Sequence, residues 1–239
     1  MLRGEGENVE QTQPSHTAVV VATLNEEEGV GPTIEEIKKF LDDPYILVVD
    51  GWSHDRTVEI AKNMGAGILF QDGKGKGNAL RNGIQKLGLK VRYVVFTDAD
   101  YTYPAEYIPK MIEILEKDAD VGMVIGNRFS KEFSFKEASN SAFYAGNRLL
   151  AFAQHVVNGI KLADPLSGLR VVRYEILRDW KPKSEGFDVE AEMNYRVERS
   201  GYKTKEIPIQ YRPRLGEKKL KLQHGFAILK RIVSESIVQ

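Results

Sequence analysis

Tyr93-Val94-Val95-Phe96-Thr97-Asp98-Ala99-Asp100 is the stretch on which the fold turns. Its first five residues are all β-branched or aromatic, a run too short for a helix and too continuously apolar for a half-exposed strand. It reads as a strand buried on both faces. Two carboxylates follow at once. Runs of the same kind recur upstream as Ala18-Val19-Val20-Val21-Ala22, as Ile46-Leu47-Val48-Val49 leading into Asp50, and as Gly67-Ile68-Leu69-Phe70, and downstream over residues 121–126. Between them, apolar residues recur at helical spacing: Ile34, Ile37 and Leu41 after Gly31-Pro32, then Val58, Ala61 and Met64 behind a cap at Ser53 or Asp55, then Leu80, Ile84 and Leu87. Ile108, Met111, Ile112 and Leu115 add a fourth helix. Strand and helix alternate over the first half, which predicts a single α/β domain whose mostly parallel sheet is flanked by helices. In such sheets ligands bind beyond the carboxyl ends of the strands. The polar clusters fall there: residues 23–26, Asp50, and Asp98 with Asp100.

The second half is less regular. Helices are expected around 142–157 and 189–197, a β-like stretch over 204–211, and an amphipathic helix at the end. The polar residues 1–16 read as a disordered lead-in, 17–215 as the domain, and 216–239 as a basic amphipathic segment. The 239 residues carry 34 basic and 34 acidic side chains, so no global field draws the protein to nucleic acid, and none is expected as a partner. There is no cysteine, which excludes disulfides, thiolate metal sites and thiol catalysis. No stretch approaches the roughly 20 apolar residues of a spanning helix.

Three features carry chemistry. Asp98 and Asp100, one residue apart after a buried strand, are placed to chelate a divalent cation together with substrate phosphates; all-oxygen ligation suits Mg²⁺ or Mn²⁺. The same pair also fits a turn with capping aspartates. Gly73-Lys74-Gly75-Lys76-Gly77 has neither G-x-G-x-x-G nor P-loop spacing. It brings two lysines to a helix N-terminus, a good place for a diphosphate, and equally fits a surface turn. Asp50 can accept hydrogen bonds from a nucleobase, or simply end a strand before Gly51. No one of these decides the matter, but their order does.

That order resembles the inverting GT-A glycosyltransferases of family 2, and within them the dolichyl-phosphate mannose/glucose synthase group. Thr23-Leu24-Asn25-Glu26-Glu27 resembles the family's nucleotide-binding opening. Val48-Val49-Asp50-Gly51-Trp52-Ser53-His54-Asp55-Arg56-Thr57 is similar to its V-V-D-D-G-S-x-D-x-T segment, and Gly75-Lys76-Gly77-Asn78-Ala79-Leu80-Arg81 to G-K-G-x-A-L-R. Asp98-Ala99-Asp100 matches the family's D-A-D. Gly126-Asn127-Arg128-Phe129, then Asp164-Pro165-Leu166-Ser167-Gly168-Leu169-Arg170, Gly186-Phe187-Asp188-Val189-Glu190 and 214–220 complete the series. Gly51 and Trp52 depart from it, standing where the family has Asp and Gly; Tyr101-Thr102 and Lys218 depart too.

The resemblance implies transfer of a hexose, with inversion, from a nucleotide diphosphate sugar of GDP-mannose or UDP-glucose type to dolichyl or another polyprenyl phosphate. It implies that Ala22, Thr23, Leu24, Glu26 and Asp50 hold the nucleoside, and that Lys76, Asp98, Arg214 and Lys219 serve the rest of the nucleotide. Asp98 and Asp100 would hold Mg²⁺ or Mn²⁺, and Arg128 and Arg170 would grip the acceptor phosphate. Asp98, Asp100 and Arg128 would be the catalytic set. A phosphate monoester is largely dianionic at neutral pH and needs no general base, although Asp164, Asp188 or Glu190 could serve as one. Arg214, Lys218, Lys219, Lys221 and Lys230 lie close to Leu222, Phe226, Leu229, Val233 and Ile237, which recur at helical spacing. Such a helix can lie in the interface of an anionic membrane, which implies a cytoplasmic protein held peripherally on the membrane's cytoplasmic face, or it can pack on its own domain. Rival readings are a family 2 enzyme with a small or glycan acceptor, a sugar nucleotidyltransferase, and a silent nucleotide-binding module.

Overall fold

The computed structural model describes residues 16–129, 142–219, 221 and 223–237. The expected lead-in therefore lies outside the described residues except for His16, and so do Leu220 and Leu222. The carbonyl of His16 accepts the amides of Arg92 and Tyr93, so it belongs to the sheet rather than to a tail.

The alternation is realised in order: β1 (Thr17–Thr23), α1 (Val30–Phe40), β2 (Tyr45–Asp50), α2 (Thr57–Asn63), β3 (Gly67–Phe70), α3 (Lys76–Lys86), β4 (Tyr93–Asp98), α4 (Ile108–Lys117) and β5 (Val121–Asn127). Then come α5 (Ala142–Asn158), β6 (Arg170–Arg173), the short α6 (Tyr174–Leu177), α7 (Val189–Arg199), β7 (Lys203–Pro208) and α8 (His224–Ile237). Seven strands form one sheet in the order β3-β2-β1-β4-β6-β5-β7. Only β6 runs against the rest, antiparallel to both β4 and β5. The sequence reading contained no strand there: Arg170-Val171-Val172-Arg173 is four residues bounded by charge, too short for a periodic signal.

Both faces of the sheet are covered, as the unbroken apolar runs require. Successive side chains of a strand point to opposite faces. Val20, Leu47, Val49, Val94 and Phe96 therefore pack with Leu80 and Ile84 of α3 and Met193 of α7. Val19, Val21, Ile46, Val48 and Val95 pack with Ile34 and Ile37 of α1 and Met111 and Leu115 of α4 on the other face. Neither Ser53 nor Asp55 holds the N-cap of α2, which is Arg56; Asp55, one residue earlier, accepts the amide and hydroxyl of Thr57 on its Oδ1. The last helix does not stand apart: Ile228 and Ile232 of α8 are buried with Leu150 of α5 and Ala191 of α7. No helix among the described residues is long and apolar enough to cross a membrane.

Candidate active site

The chain leaves β1 toward β2 on one side and β4 on the other, so a crevice opens where these strands end. Register brings the expected residues together there: Thr23 lies opposite Asp50, and Ala22 opposite Asp98. Thr23 donates its hydroxyl to Asp50 Oδ2 at 2.8 Å. Ser53 gives its amide to Oδ1 at 2.8 Å and its hydroxyl to Oδ2 at 2.6 Å. Asp50 is fully buried beneath these donors and organises the β2 turn from within. Leu24, the next residue along, is exposed. Four non-glycine residues among those described have left-handed backbone, and Asn25, Trp52 and Tyr101 all sit just past the ends of β1, β2 and β4. Such strain tends to collect at functional sites.

The two acidic residues after β4 lie among cations. Lys76 Nζ bridges Asp98 Oδ1 at 2.6 Å and Glu190 Oε1 at 2.7 Å. Arg214 reaches Asp100 Oδ2 at 2.7 Å and also bonds Glu26, which Lys219 meets at 2.6 Å. The segment carrying Arg214 is stitched to the acidic loop by backbone: the amide of Leu215 binds the carbonyl of Asp100, and that of Arg212 the carbonyl of Thr102. Burial is the largest influence on the Asp98 carboxyl and works to raise it, but the charge and hydrogen bond of Lys76, together with the charges of Arg128 and Arg214, hold the group below the usual carboxylate range. Asp100 is pushed up, first by burial and then by the Asp98 charge. Glu26 is raised by burial against its two cations. A Cβ on Gly168 would come within 2.7 Å of Asp98 Oδ2, so the glycine lets the acid settle against the backbone.

Among the described residues no three His, Cys, Asp or Glu side chains group to hold a metal ion. Asp98 and Asp100 are thus two ligands, not a closed protein cage. Two carboxylates fit Mg²⁺ or Mn²⁺, which are often bound by one or two carboxylates completed by substrate phosphates. The cations already resting on both acids mark the negative potential such an ion would meet.

Two expectations need correction. Arg170 is buried, at 1% exposure. Its Nε donates to the carbonyl of Ser167, Nη1 to the carbonyl of Glu190 and to Asn194 Oδ1, and Nη2 to the carbonyls of Pro165 and Ser167. All five guanidinium hydrogens are engaged, so Arg170 holds the core together and does not reach an acceptor phosphate. The N-terminus of α3 is engaged too: the amides of Gly77 and Asn78 both point at the carbonyl of Glu185, leaving neither for a diphosphate. Of that loop, the Lys76 side chain is what enters the crevice.

Arg128 follows directly on the end of β5. Its guanidinium grips Asp164 with two bonds of 2.7 Å, and its amide adds a third at 3.0 Å. It lies over the rings of Phe129 and Tyr211. The carboxylates offered as general bases all have cationic partners: Asp164 binds Arg128, Glu190 binds Lys76, and Asp188 binds Arg231 of α8. Sequence reading missed these pairings, and likewise the Arg212–Glu36 bridge beside the crevice. Partners 36 to 176 residues apart leave no local signal.

Comparison with known proteins bears on the family and the fold. The sequence model of glycosyl transferase family 2 matches residues 18–181. A dolichyl-phosphate hexose transferase of Haloferax volcanii is 37% identical over 90% of this chain and 92% of its own. The dolichol-phosphate mannosyltransferase of Pyrococcus furiosus is 30% identical over 92% of this chain and 67% of its own. The fold matches that of glucosyl-3-phosphoglycerate synthase from Mycobacterium tuberculosis, crystallised with Mn²⁺, UDP and glucosyl-3-phosphoglycerate, with a TM-score of 0.72 at 20% identity over 93% of this chain and 80% of the synthase. A crevice built on an acidic pair, in a chain matched by the family over most of its sheet, makes this protein a glycosyltransferase of GT-A architecture belonging to family 2.

Proposed function

We propose that the chain transfers a hexose, with inversion, from a nucleotide diphosphate sugar to a polyprenyl phosphate of dolichyl type, using Mg²⁺ or Mn²⁺. The observation that carries the reading is the charge pattern of the crevice. Lys76, Arg214 and Lys219 rest on Asp98, Asp100 and Glu26, Arg128 rests on Asp164, and the other candidate bases, Asp188 and Glu190, are paired with Arg231 and Lys76. The site is rich in phosphate-binding cations and poor in unpaired bases, which suits an acceptor that is already an anion. The hexose transferase of Haloferax volcanii, with its dolichyl-phosphate acceptor, supports the same class.

In this reading Asp98 and Asp100 hold the metal, which neutralises charge developing on the leaving nucleoside diphosphate. Lys76, Arg214 and Lys219 add positive charge on the diphosphate side. Thr23, Glu26 and Asp50, with the backbone of Ala22 and Leu24, shape the nucleoside end. Arg128 fixes the acceptor phosphate by the paired hydrogen bonds a guanidinium makes well. The acceptor oxygen then attacks the anomeric carbon, the bond to the diphosphate breaks, and its electrons leave with the nucleotide.

The lipid would be met at the surface of α5 and α8. Each turns an apolar stripe outward: Leu149, Phe152 and Val156 on α5, and Phe226, Leu229, Val233 and Ile237 on α8. Lys221 and Lys230 supply positive charge near α8. This favours a peripheral seat on the cytoplasmic face of the membrane.

The test is transfer of labelled sugar from GDP-mannose, UDP-glucose or UDP-N-acetylglucosamine, with Mg²⁺ or Mn²⁺, with and without dolichyl phosphate. Label should enter the organic phase only with lipid, metal and one donor, and Asp100→Asn should lower turnover by about 10² or more. Donor turnover indifferent to lipid would discard the acceptor.

A further inference from the structure

Trp52 is the least conforming residue of the crevice. It stands where the family pattern has glycine, and its backbone keeps the left-handed conformation, φ 67°, that glycine adopts freely and a bulky residue does not. The turn leaves it no other choice. On one side the amide of Gly51 binds the carbonyl of Thr23 at 2.8 Å; on the other the amide of Ser53 binds Asp50 Oδ1 at 2.8 Å. The indole is fixed as firmly as the backbone. One face stacks on Phe70, with centroids 4.8 Å apart and planes 24° from parallel, and Nε1–H donates to the carbonyl of Gln71 at 3.1 Å. Trp52 nonetheless remains 59% exposed. The chain thus tolerates a strained backbone and an uncovered indole at the ends of β1, β2 and β3, where Thr23, Asp50 and Phe70 lie in register.

We propose that Trp52 is a stacking platform for the nucleobase of the donor, and that it sets base preference in this enzyme. The inference rests on the reading of the crevice as a nucleotide-sugar site. Every base has a π face, and stacking on a ring held in advance costs the protein little further order. Phe70 backs the platform, and the indole face away from it is the one open to a base. A purine offers the larger face, so GDP gains more than UDP.

Titrations of the whole chain with GDP, UDP and base-free pyrophosphate, each with Mn²⁺, separate the possibilities. Trp52→Gly suits the left-handed turn and should keep or raise Tm. It should weaken GDP by about tenfold or more and UDP by less, leave pyrophosphate unchanged, and raise the donor KM more than it lowers kcat. Trp52→Phe should restore most of the affinity. Trp180 is buried, at 7% exposure, so quenching of the wild-type fluorescence by nucleotide reports Trp52, and Trp52→Gly should abolish it. Wild-type binding with no quench, and equal nucleotide affinity in Trp52→Gly, would overturn the platform while leaving the glycosyltransferase reading intact. A fall in Tm and kcat with KM unchanged would make the pair with Phe70 a structural cover and overturn it equally. Failure of the wild type to bind any nucleotide would sink the donor reading itself.

Discussion

Two arginines of the same family pattern have opposite fates, and the difference lies in what their donors face. Arg170 points inward from β6 and gives every hydrogen to interior acceptors. Arg128 spends its side-chain hydrogen bonds on one buried carboxylate, Asp164, and has guanidinium hydrogens left over. Arg170→Met would strand buried carbonyls, at ~1–3 kcal/mol for each that finds no new partner. The expected outcome is a loss of about 3 kcal/mol or more in urea unfolding, with activity falling only as far as the folded fraction does. Arg128→Lys keeps a cation on Asp164 and so most of the stability, yet gives up the planar fork. Its kcat/KM in lipid transfer should drop on the order of 10²-fold while Tm moves little. Equal stability losses in the two variants would show that both arginines are structural.

At the scale of elements, α3 positions Lys76, and a close packing contact positions α3. A Cβ on Gly77 would lie 2.1 Å from the carbonyl oxygen of Ser184, a backbone atom that cannot swing aside. The amide of Gly77 meanwhile binds the carbonyl of Glu185. Gly77→Ala therefore has to push the first turn of α3 off this loop. The overpacking should destabilise by ~1–3 kcal/mol. Because Lys76 shifts with the turn, nucleotide affinity should fall as well. Calorimetric Tm and nucleotide Kd on the same sample check both, and an unchanged Tm would refute the contact. The start of α7 is held in a related way from α8, whose Arg231 reaches Asp188 just before α7 and Glu192 within it, besides Glu235 on α8 itself. The last helix thus braces the helix that supplies Glu190 to Lys76.

For the whole molecule, the question is what covers the outward stripes of α5 and α8. The two helices already share a buried seam through Leu150, Ile228 and Ile232, and the outward residues take no part in it. Phe226 is 80% exposed and Phe152 65%. The double variant Phe152→Asp/Phe226→Asp should leave Tm nearly unchanged, since neither ring is in the core. It should reduce flotation with anionic vesicles several-fold, and more so at low salt, where the two added carboxylates repel the surface unscreened. It should also slow transfer to lipid acceptor more than donor hydrolysis. Vesicle binding equal to that of the wild type would place the membrane contact elsewhere.

The sequence by itself determined the frame: the strands read from unbroken apolar runs, the helices from their spacing, and the crevice from where the acids fall after β1, β2 and β4. Those signals are local, because burial on two faces and helical periodicity are written into neighbouring residues. The sequence also offered candidates for the site, through motifs spread along the chain. It was silent on β6, whose four residues carry no period and whose place between β4 and β5 is decided by pairing. It could not tell Arg128 from Arg170, nor show that Lys76 joins the crevice by its side chain while its helix end is taken. The apolar stripe of α8 read from the sequence is the exposed one, while Ile228 and Ile232 face the protein. Each of these was settled by contacts between residues far apart in the chain. A side chain's type fixes what it can donate or bury, but only the packed neighbours fix which way it points and what is left over for a ligand.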